Sequence, residues 1–241
     1  MLFEILFEDM ILREAELVAW TINITLKVVI GVMIFANLYN TPKEEIDQRK
    51  MTILWALYLL LFAVGHSIGL WVRLYCPFDL PTETCWHFDK IAIIIDEIAV
   101  LLVIYDMERR LELYKYPVVS VVLIVGIILL IIDPTPKIMS PLTWSHFLIF
   151  IFTYAYIPLM YLYVALKFGG PFKKRSLVIF LAFTLMGIGT AFQRQNVVAV
   201  FPGLVEWFEV GLNIPWVYLC TFTANIGIVL FYYGYKMESL A

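Results

Sequence analysis

The chain has 241 residues, 62% of them hydrophobic and only 15% charged, with a formal net charge of −3. Soluble domains are nearer about 45–50% apolar and about 25% charged, so the composition excludes a water-soluble globular domain and predicts an all-α polytopic membrane protein. No basic, aromatic-interleaved patch points to nucleic acid, and the small net charge says little, because in a membrane protein the arrangement of charge outweighs its sum.

Residues 1–16 place Leu2, Phe3, Leu6, Phe7, Met10 and Ile11 at helical spacing among Glu4, Glu8 and Asp9. This amphipathic stretch is too short to span and is expected to lie along the interface. It lacks the basic, apolar, small order of a signal peptide, so insertion by the first spanning helix is expected without cleavage. A seven-helix transmembrane domain over 17–236 follows, with a short cytoplasmic tail at 237–241. The first span covers 17–39, interrupted by Asn23, Thr25 and Lys27, and ends before Thr41-Pro42. The second, 51–73, carries Gly65 and Gly69 in a GxxxG spacing that admits a neighbouring helix. A loop then holds Cys76 and Cys85. The third span begins near Asp89, contains the adjacent pair Asp96-Glu97, and stops at Asp106-Met107-Glu108-Arg109-Arg110.

Pro117 opens the fourth span, which reaches Asp133-Pro134. The fifth, about 141–167, is rich in Trp and Tyr, with His146 near its start and Pro158 inside. The sixth runs from 176 to about 196 and contains Arg194 near its end. Residues 197–210 read as a short interfacial helix or re-entrant turn, and the seventh span, about 211–235, contains Cys220, Thr223 and Asn225. Each has roughly the 17–25 residues that a bilayer core demands.

Basic residues set the orientation. Lys43, Arg49, Lys50, Arg109, Arg110, Lys115, Lys167, Lys173, Lys174, Arg175 and Lys236 fall on one side, against Arg13, Arg73, Lys90 and Lys137 on the other. The positive-inside rule therefore predicts the N-terminus outside and the C-terminus inside, in a multi-pass protein of the cell membrane. Cys76 and Cys85 then lie outside, where a disulfide is permitted, with two free thiols as the alternative.

Ionisable groups inside spans are functional-site candidates. Counted along the helices, Lys27 and Asn225 fall near the midplane, His66, Asp96, Glu97 and His146 in the outer half, and Arg194 near the outer boundary. Asp96 and Glu97, adjacent on one helix, point about 100° apart, so one is expected near Lys27 and the other toward His66 or Arg194. Three readings stay open: structural interhelical pairing, a ligand or ion pocket, and a haem b held by His66 and His146 as axial ligands. The chain has no HExxH, HxxxH, CxxC or Walker pattern, so no metal site and no catalysis are expected. No cofactor is expected apart from the haem alternative.

The pattern Glu108-Arg109-Arg110-Leu111, then Lys115-Tyr116 and an apolar span ending Asp133-Pro134, resembles uncharacterised archaeal seven-helix membrane proteins. The resemblance implies a receptor- or sensor-like topology, which rhodopsins and G-protein-coupled receptors share. The predicted seventh span offers no lysine before Lys236, whereas a retinal protein needs one there, and Lys27 stands on the wrong helix. Pro158-Leu159 in span five departs from the Pro-Gln signature of SWEET-type sugar transporters. The expected function is thus a non-catalytic receptor-like or accessory membrane protein. Its partners would be the lipid bilayer and another membrane or cytoplasmic chain. A small-solute or ion transporter and a haem b redox subunit are the alternatives.

Overall fold

The computed structural model describes residues 2–76, 83–110, 117–132, 141–191 and 201–237. Among the described residues the fold is all-helical, with no strand. Helix α1 spans Leu2–Ala36 and passes into a 3-10 turn at Asn37–Tyr39, where Pro42 lies close ahead. Then come α2 (Ile46–Tyr75), α3 (Glu83–Arg110), α4 (Val118–Ile132), α5 (Pro141–Lys167) and α6 (Gly170–Ala191). A short α7 (Pro202–Glu206) runs into a π turn at Trp207–Gly211, and α8 (Trp216–Lys236) closes the described fold.

The breaks have local causes. Gly170 takes φ +64° between α5 and α6, a left-handed conformation that favours a residue without Cβ. Pro202 opens α7 and Pro215 precedes α8, positions where a missing N–H costs nothing because the first helical N–H groups have no intrahelical partner.

Among the described residues, four helical stretches are long and apolar enough to cross a membrane: Glu14–Tyr39, Ile46–Tyr75, Leu148–Lys167 and Trp216–Lys236. Helix α4 is apolar but has 15 residues, fewer than the roughly 20 that a perpendicular span needs. In α3 the charges of Lys90, Asp96 and Glu97 interrupt the apolar run, and α6 begins with Lys173, Lys174 and Arg175. Helix α1 shows no break between residues 16 and 17, so the amphipathic start and the first span are one continuous helix.

The chain forms two compact units. One comprises Met1–Leu26 with Tyr161–Ala241, the other Lys27–Met160. In the first, α6 lies along α8 with almost no side-chain layer between them. A Cβ on Gly189 would stand 2.5 Å from the Cys220 carbonyl oxygen and 2.7 Å from the Ala224 nitrogen. One on Gly227 would stand 2.7 Å from the Ala182 carbonyl oxygen. Small residues on both helices thus allow the backbones to meet, the usual route to helix association in lipid. Phe183 stacks on Tyr161 and meets Phe231 edge-on. Glu209 accepts a hydrogen bond from the Trp216 N–H at the start of α8, supplying an acceptor and a negative charge where the helix dipole favours both.

In the second unit α2 lies along α3, and α3 is tied to α4 through Glu108. Glu108, 2% exposed, accepts hydrogen bonds from the Val119 N–H at 2.9 Å, the Ser120 N–H at 3.2 Å and the Ser120 hydroxyl at 2.5 Å. The charged stop legible in the sequence therefore divides. Glu108 turns inward to cap α4, while Arg109 and Arg110 turn to Asp47 and Asp106 at the helix ends.

Candidate functional site

The second unit contains a buried chain of three ionisable side chains contributed by three helices. Helix α2 provides its frame, because Trp55, Tyr58, Phe62 and His66 recur at three- and four-residue spacing and so share one face. Trp55, Tyr58 and Phe62 are buried, and adjacent rings contact one another: Trp55 with Tyr58, Tyr58 with Phe62, and Phe62 with His66. This wall excludes water from the ground on which Lys27 arrives.

Lys27 comes from α1. Its Nζ lies 2.5 Å from Nδ1 of His66 and 5.7 Å from the centre of the Phe62 ring, so the ammonium has both a lone pair and an aromatic face. On its other edge, Nε2 of His66 faces Asp96 Oδ2 of α3 at 3.6 Å, a distance for charge attraction rather than a hydrogen bond. His66 thus stands between Lys27 and Asp96. The remaining Asp96 oxygen, Oδ1, is buried and has no hydrogen-bond partner among the described residues.

Gly65 explains how Asp96 comes so close. A Cβ at this position would collide with Asp96 Oδ1, stand 2.8 Å from its Cγ, and lie 2.9 Å from the Ala92 carbonyl oxygen. The absent side chain is the notch that the carboxylate fills. Gly69, the second glycine of the GxxxG spacing, has nothing within 4 Å. Of these two glycines, Gly65 alone marks a close approach.

Around the chain, Tyr58 and Tyr154 of α5 hydrogen-bond to each other. Both hydroxyls feel the charge of Asp96. Glu97 is fully buried beside Asp96, whose side chain keeps 19% exposure. Of the two carboxylates, Asp96 is thus the one with surface to receive a small ligand.

Comparison with protein-family models, curated proteins and solved structures finds no match to this chain. The site must therefore be read from its own chemistry.

Of the residues that the sequence nominated, Lys27, His66, Asp96 and Glu97 come together in the second unit. Asn225 lies in the first unit and accepts a 2.7 Å hydrogen bond from the Asn23 amide of α1. His146 belongs to α5, but its side chain lies outside the described residues, as does the whole of Arg194. Cys76 and Cys85 are joined by a disulfide with a Cα separation of 6.0 Å. Both edges of the His66 ring are already engaged, so iron ligation there would have to displace Lys27 or intrude before Asp96. Among the described residues no three His, Cys, Asp or Glu side chains converge as a metal site.

Tyr58, Phe62 and Gly65 complete the site without having been nominated for it. The signal for the first two was available: an aromatic series on α2 that ends on a histidine within an apolar helix.

Proposed function

We propose that the chain is a non-catalytic, receptor-like membrane protein of seven spanning helices whose binding site is the polar chain around Lys27, His66 and Asp96. The N-terminus is outside, the C-terminus is inside, and another protein chain carries the response onward. The observation that carries this reading is the Lys27–His66–Asp96 chain itself, which links α1, α2 and α3 through groups whose charge a small ligand can change. Charged groups in an apolar helix pair are costly, and interhelical polar contacts of the ordinary kind contribute only about 0.6 kcal/mol on average. Structural pairing alone would be served as well by uncharged partners, as Asn23 and Asn225 serve α1 and α8. The asymmetry of basic residues supports the orientation, and the Cys76–Cys85 disulfide suits an outer loop.

The test has two arms. A cysteine introduced at Lys174 should react with an impermeant label from the cytoplasmic side only, and labelling from outside would overturn the orientation. In lipid nanodiscs, a panel of inorganic cations, anions and small polar solutes should include at least one that raises the melting temperature of the wild type. A ligand that binds only the folded state stabilises it by mass action, and that shift should vanish in Lys27→Met and Asp96→Asn. Equal shifts in the wild type and both variants would remove the site.

A further inference from the structure

We infer that the ligand of the Lys27–His66–Asp96 chain is the proton, taken up by Asp96, and that its uptake cancels the attraction joining α2 to α3; this rests on the polar-site reading above. With Lys27 as the ammonium, which has donors and no acceptor, Nδ1 of His66 accepts at the 2.5 Å contact between them. A neutral imidazole that accepts at Nδ1 carries its proton on Nε2, and that N–H faces the Asp96 carboxylate. Lys27 therefore sets the tautomer of His66, and His66 presents a donor to Asp96.

Protonating Asp96 changes the sense of that contact. A proton from water bonds to a carboxylate oxygen, giving the neutral acid, and no other bond breaks. The N–H of His66 then faces an uncharged group that can itself be a donor, and the attraction of the N–H dipole for the carboxylate charge across 3.6 Å is lost. Release reverses the step: the O–H bond breaks and the proton returns to water. Oδ1 is the oxygen without a hydrogen-bond partner among the described residues, and it lies in the notch that Gly65 of α2 leaves open. A change in charge at Asp96 therefore acts at a contact that has no side-chain cushion.

Other charges bear on this site from every helix packed around it. Lys27 acts from α1, and Arg73 acts on His66 from further along α2. Glu97 and Asp89 act on Asp96 from α3. The Tyr58–Tyr154 hydroxyl pair completes the surroundings from α2 and α5. Asp96 therefore stands among charges of both signs.

The experiment uses the full chain in lipid nanodiscs, with the proton as the probe. Infrared difference spectra on acidification should show a protonated carboxylic C=O band that is lost in Asp96→Asn and retained in Glu97→Gln. In 15N-histidine spectra the His66 ring should show Nδ1 as acceptor and Nε2 protonated at neutral pH. Its shift should follow the infrared band with the same midpoint. Lys27→Met should move that midpoint by about tenfold in proton concentration toward the alkaline side, because a nearby cation favours the ionised carboxylate. A band that follows Glu97→Gln instead, or a His66 protonated on Nδ1, overturns the proposal. The tautomer is read in the wild type, so it decides even if a variant fails to fold. If acid changes neither signal while a solute still stabilises the wild type through Lys27, the proton assignment falls and the wider polar-site reading stands. If neither proton nor solute acts, both fall.

Discussion

Replacing Gly65 with alanine tests the notch on which the site depends. The added Cβ would lie 2.8 Å from Asp96 Cγ and 2.9 Å from the Ala92 carbonyl oxygen. The carboxylate could swing aside, but the carbonyl belongs to the backbone of α3 and cannot, so the helices must separate locally. Overpacking of this kind costs about 1–3 kcal/mol, whereas Gly→Ala in a helix gains roughly 1 kcal/mol of propensity. Those terms nearly oppose each other, which would make the single variant hard to read. Gly69→Ala supplies the control, because nothing lies within 4 Å of that position and the propensity gain is shared. The difference between the two variants isolates the collision, about 1–3 kcal/mol. At about 2–4 °C per kcal/mol for a chain of this length, Gly65→Ala should melt several degrees below Gly69→Ala. The assay is thermal unfolding of purified protein in one detergent. Equal melting temperatures would mean that α2 and α3 do not meet at Gly65, and the placement of Asp96 would fall with them.

Glu108→Gln keeps the size of the α4 cap but removes its charge and one of its acceptor oxygens. Hydrogen bonds to charged groups contribute about 1.5–3 kcal/mol, so the variant should unfold at lower temperature, and Glu108→Ala lower still. Wild-type melting of Glu108→Gln would place the carboxylate away from Val119 and Ser120. Reduction of the Cys76–Cys85 bridge should destabilise by about 2–4 kcal/mol, as for other disulfides that close short loops. Mass analysis without reductant should find only Cys220 alkylated after unfolding, and alkylation at Cys76 and Cys85 would show that no bridge had formed.

How much of this was legible in the sequence depends on the physics each feature obeys. Apolar run length and the absence of strand patterns point to helices, and the described residues are helical throughout their long elements. Polar residues inside apolar runs announced themselves as unusual, which is why Lys27, His66, Asp96 and Glu97 stood out. Their partners did not follow, because a one-dimensional string gives the angle between Asp96 and Glu97 but not the rotation of α3 against α2. The same gap explains Gly69: the GxxxG spacing names two glycines, and helix rotation decides that only Gly65 meets a neighbour. Glu108 read as part of a charged terminus because sequence cannot show that the exposed N–H groups of α4 lie beside it. The division of the polar residues also follows from rotation: Asn225 pairs with Asn23 in the first unit while Lys27 serves the second.

The contact of α6 with α8 has a mechanical consequence. Gly189 and Gly227 face backbone atoms of the opposite helix at distances where even a methyl group would collide. Sliding one helix along the other by one turn, about 5.4 Å, would bring residues of the same face that bear side chains, such as Met186 or Phe231, toward these positions. The pair is therefore keyed like a spline in its groove, resistant to axial creep and without compliant material to absorb shear. Any movement within the first unit must carry α6 and α8 as one rigid lever and take up its bending elsewhere.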